Sequence, residues 1–74
     1  MTPDDIPTVR QLVRDTNRGA CVISKATTEP LEIVFMCTSG IYIVRPVDEK
    51  KHEGDLVVTR MIDGKQRVST NDDL

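Results

Sequence analysis

Arg60, Lys65 and Arg67 flank Asp63-Gly64, the clearest turn signal in the chain. A two-residue Asp-Gly loop predicts a type I′ hairpin between apolar-rich strands at 56–62 and 65–70. That loop sets Ile62 opposite Lys65 and Arg60 opposite Arg67, with Lys65 on the same face. Thr59 then faces Val68, and Val57 and Met61 belong to the other, more apolar face. Like charges held opposite one another on a sheet repel, so this cluster invites an anionic partner, either a phosphate backbone or an acidic protein surface. The bland alternative is three cations splayed into water, guarding an edge strand. A second cationic set, Arg10, Arg14 and Arg18, falls at i, i+4, i+8 along a helix and gives candidate anion contacts.

The remaining reactive side chains form no recognisable machinery. Cys21 and Cys37 are the two cysteines and belong to neighbouring strands; buried, inert thiols are the expectation, with a redox switch as the alternative. His52 stands among Lys50, Lys51, Glu53 and Asp55 in a charged loop, which is a poor setting for a base or a metal ligand. There is no nucleophile elbow, phosphate loop, zinc spacing or paired-acid motif. Tyr42 and Phe35 are too few to build an aromatic platform for single-stranded nucleic acid. The chain is therefore not expected to be an enzyme, and no cofactor or metal is implied.

The elements that must position these residues can be read from periodicity. Ile6, Val9, Leu12, Val13 and Thr16 make one apolar stripe, predicting a helix over 6–18. Asp4 or Asp5 would cap it, and Gly19 would stop it. Strands follow at 20–25, 31–37, 41–47, 56–62 and 65–70. Thr38-Ser39-Gly40 reads as a three-residue hairpin loop between the second and third. The sequences 33–37 and 41–44 are apolar at every position. Alternate strand side chains point to opposite sides, so this hairpin needs cover on both faces. One short helix can roof only one.

The order is that of an α+β domain, one N-terminal helix followed by a four- to five-stranded antiparallel meander. Either a helix-on-sheet arrangement or a small SH3-like or Sm-like curled barrel fits. A single domain over 1–74 is expected, with 1–5 and 71–74 frayed.

The net charge of −2 is evenly spread: residues 1–37 hold four basic and five acidic groups, and residues 38–74 hold six and seven. Proteins that live on nucleic acid usually show a basic surplus. No apolar run approaches the ~20 residues of a membrane span. An acidic N-terminus is unlike a signal peptide, so a cytoplasmic location is expected.

These features together predict a non-enzymatic protein–protein interaction module: an adaptor, an inhibitor or a small regulatory subunit, including a viral accessory protein. It would bind a protein partner, or itself as a homodimer, through a sheet face or an edge strand. The expected contact residues are Val34, Met36, Tyr42 and Val44, rimmed by Arg60, Lys65 and Arg67. The rival expectation is a small nucleic-acid-binding β-barrel using the same cations, whose affinity would fall steeply with salt.

Overall fold

A computed structural model describes residues 6–48 and 54–70. Helix α1 (Val9–Asn17) precedes five strands, β1 (Cys21–Thr28), β2 (Leu31–Cys37), β3 (Gly40–Pro46), β4 (Leu56–Arg60) and β5 (Gln66–Ser69). The strands form one antiparallel sheet in the order β1-β2-β3-β4-β5. It is the α+β meander expected, in its helix-on-sheet form: β1 and β5 remain edges and the sheet does not close into a barrel.

The helix begins later than the apolar stripe predicts. Thr8 is its N-cap: the Thr8 hydroxyl accepts from Gln11 N at 3.1 Å, and the Gln11 side chain accepts from Thr8 N at 2.9 Å. This reciprocal capping box satisfies two helix-end donors and leaves Pro7 outside, where it disturbs no ladder. Val13, expected in the buried stripe, is exposed, whereas Leu12 is fully buried.

The helix end follows expectation. Gly19 takes φ +83°. Gly19 N donates to Thr16 O and Ala20 N to Asp15 O, the paired bonds of a Schellman stop.

Under the helix, Leu12 and Ile6 pack with Cys21, Phe35, Tyr42, Val44 and Val58. Two polar ties hold this roof to the far edge: Ser69 Oγ accepts from Val9 N at 3.3 Å, and Arg67 Nη1 donates to Ile6 O at 3.3 Å.

Cys21 and Cys37 are paired directly across β1 and β2 and are joined by a disulfide. This corrects the expectation of two free thiols. The neighbouring bond from Thr38 N to Ala20 O makes the cysteine pair a non-hydrogen-bonded one, the closer of the two cross-strand spacings. Adjacency on neighbouring strands was readable from the sequence; direct opposition required the register.

Candidate interaction surface

Which side chains share the open face follows from two turns. Cys37 pairs with Gly40, so the β2–β3 loop contains only Thr38 and Ser39. Gly40, at φ +148°, joins β3 instead of the turn. That single residue reverses the predicted partnership. Val34 lies opposite Ile43 and Met36 opposite Ile41, while Phe35 lies opposite Tyr42 and Ile33 opposite Val44. Tyr42 and Val44, expected on the partner-binding face with Val34 and Met36, are therefore in the core beneath the helix.

The uncovered face is built from Val22, Val34, Met36, Ile41, Ile43, Val57 and Val68, which registers continuous across all five strands place on one side. Val22, Met36 and Val68 are 58%, 46% and 50% exposed. Thr59 and Gln66 lie opposite each other on the same side. The face's charges gather in a cluster toward the β1 side. Glu32 takes a hydrogen bond from Arg45 Nε at 2.9 Å and an ion pair from Lys25 Nζ at 3.5 Å. The hydrogen bond from Arg45, reinforced by the charges of both cations, holds the Glu32 carboxyl below the usual range. Two cations share one carboxylate in this cluster, and apolar surface makes up most of the rest of the face.

Lys25 reaches the face because β1 is bulged. Ile23 pairs with Phe35 and Lys25 with Val34, leaving Ser24 extra. The bulge carries the side-chain alternation over by one and aims Lys25 at Glu32.

The second hairpin also departs from prediction. Thr59 pairs with Gln66, Val58 with Arg67 and Val57 with Val68. Arg60 N donates to Lys65 O and Gly64 N to Arg60 O, so the turn spans Met61-Ile62-Asp63-Gly64 instead of two residues. The pairing slips by two, which keeps Arg60, Lys65 and Arg67 on one side but does not set Arg60 against Arg67. That side is the helix side, so these cations do not rim the open face. The cause is Asp63 itself. Its carboxylate takes bonds from Arg60 Nε at 3.1 Å, from Arg60 Nη2 and from Lys65 N at 3.0 Å. Those bonds, with Arg60 the strongest, hold its pKa down at about 2. Arg60 is accordingly a tethered side chain, 18% exposed.

A separate cleft of about 470 Å³ opens on the helix side, lined by Pro7, Gln11, Leu12, Arg14, Asp15, Cys37, Ser39, Tyr42 and Arg60. Of the helix cations, Arg14 lines it; Arg10 and Arg18 are exposed. His52 lies outside the described residues.

Among the described residues no three His, Cys, Asp or Glu side chains gather as a metal site. No described helix is long and apolar enough to cross a membrane. Set against family models, curated proteins and solved structures, the chain gives no match.

Proposed function

We propose that the chain is a non-enzymatic protein-interaction module that docks through the open face of its sheet, as an adaptor, an inhibitor or a small regulatory subunit. The observation that carries this reading is the apolar patch of Val22, Val34, Met36, Ile41, Ile43, Val57 and Val68, on the side away from α1. Extended apolar patches on a single domain mark interaction surfaces. Five strands about 4.8 Å apart and some five residues long offer roughly 400 Å² in plan. That plan area is about half of the ~800 Å² per partner of an ordinary interface, the scale of a small docking surface. The ion-paired Lys25–Glu32–Arg45 cluster, with its net charge of +1, fits the polar rim of such a surface.

Face docking is favoured over edge pairing. The Ser24 bulge interrupts β1, and β5 is four residues long, both devices that discourage strand addition. The Cys21–Cys37 disulfide supports an oxidising setting over the reducing cytoplasm expected from the N-terminus.

The test places a photoreactive side chain at position 36 in the source cell and identifies the cross-linked protein, including a second copy of this chain. The purified partner's affinity is then measured against the native chain, Met36→Glu and Arg10→Gln. Met36→Glu is expected to weaken binding at least tenfold and Arg10→Gln to leave it unchanged. Raising salt from 50 to 200 mM should alter affinity only a few-fold, whereas phosphate contacts would cut it steeply. Unchanged affinity for a folded Met36→Glu chain would overturn the proposal.

A further inference from the structure

The helix-side cleft is independent of the open sheet face, and it brings together residues that the sequence keeps in separate groups. Arg14 comes from the helix, Ser39 from the β2–β3 turn, Tyr42 from β3 and Arg60 from the end of β4. We propose that this cleft binds a small organic carboxylate, with its anionic head on Arg14 and the hydroxyl pair.

The hydrogen-bond inventory supports the head group. Ser39 Oγ and Tyr42 Oη lie 3.2 Å apart, and either can be the donor. Two hydroxyls carry two hydrogens, and their mutual bond uses one. Whichever way it runs, one O–H remains to donate. The Tyr42 side of this pair is fixed, because the residue is only 2% exposed. Gln11 adds a further donor: its carbonyl oxygen is engaged by Thr8 N, which turns the amide so that the NH₂ end is the one left over. Arg14 makes no ion pair among the described residues, so its planar fork is available for a carboxylate.

The charge inventory selects the ligand's valence. Asp63 answers Arg60, and Asp15 also lines the cleft. One unanswered guanidinium beside one carboxylate suits a singly charged head better than a dianionic phosphate. The lining favours a small ligand: with Leu12 and Tyr42 enclosed, Pro7 and Cys37 supply the little apolar surface among mostly polar groups. A volume of about 470 Å³ falls within the range of small-molecule sites.

The experiment titrates the intact, oxidised protein with benzoate, following backbone amide shifts by ¹⁵N–¹H NMR at constant ionic strength. Inorganic phosphate and chloride are run in parallel. Saturable shifts are expected at Gln11, Arg14, Ser39 and Tyr42 with benzoate, and at least fivefold weaker binding with phosphate. Arg14→Gln, an exposed position whose spectrum reports its own folding, should weaken benzoate at least fivefold. Arg14→Lys should fall between the two, and Ser39→Ala should cost a few-fold. Non-saturating shifts, an unaltered affinity in folded Arg14→Gln, or phosphate binding as tightly as benzoate would each overturn the assignment.

Discussion

Asp63 does two jobs with one carboxylate. It ties Arg60 through Nε and Nη2, and it accepts from Lys65 N to close the turn. Its acid constant is drawn from 3.8 down to about 2, so the contribution has a definite sign. A group whose folded pKa is depressed stabilises the fold above its unfolded value and loses that effect as pH falls through the folded one. The Asp63 contribution should be complete above about pH 4 and fade toward pH 2. Asp63→Asn should therefore lower the urea midpoint at pH 6 and leave a smaller difference from the native protein at pH 2. A difference independent of pH would assign the residue a purely steric role. Because the pair is solvent-accessible, the effect will be modest and will shrink in high salt.

At the scale of elements, the helix depends on how it starts. Thr8→Ala removes the side-chain acceptor for Gln11 N and should cost about 1 kcal/mol in chemical denaturation. Thr8→Asp, which can still cap, should recover most of it. The capping box was legible in the sequence as Thr8-x-x-Gln11 directly after Pro7, a stronger start signal than the two aspartates upstream. Element order and strand positions were legible too, because apolar runs separated by Gly and Asp-Gly leave few alternatives. Turn length was not. Whether Gly40 belongs to the loop or to β3 turns on one residue of register, and that residue decides whether Tyr42 faces the core or solvent. At the second hairpin, Asp-Gly gave the right place and the wrong span, because side-chain bonds from Asp63 favour a wider turn. The cleft could not have been found from spacing. It joins helix, turn and three strands that only the tertiary fold brings together.

For the whole molecule, the balance is thin. A chain of 74 residues has a stability of roughly 4–11 kcal/mol at the usual per-residue range. Its core rests on a handful of fully enclosed side chains, among them Leu12, Val44 and Val58. The Cys21–Cys37 link closes a loop with a sequence separation of 16, for which chain-entropy arguments give about 3 kcal/mol. That is a large share of the total. Reduction, or the double substitution of both cysteines by alanine, should lower the thermal midpoint by ten degrees or more, read by circular dichroism. An unchanged midpoint would mean that packing around the strand pair suffices without the covalent tie.

Ser24 has a reach out of proportion to its size. As the supernumerary residue of β1, it switches the later half of that strand, so Lys25 greets Glu32 across the sheet instead of turning its ammonium inward toward Phe35. Excising it would make Ile23↔Phe35 and Lys25↔Val34 successive pairs of a regular ladder, leave Lys25 beside Glu32 and straighten a border that is now kinked. Fibril-like stacking, border to border, would then find the smooth template that the native chain withholds.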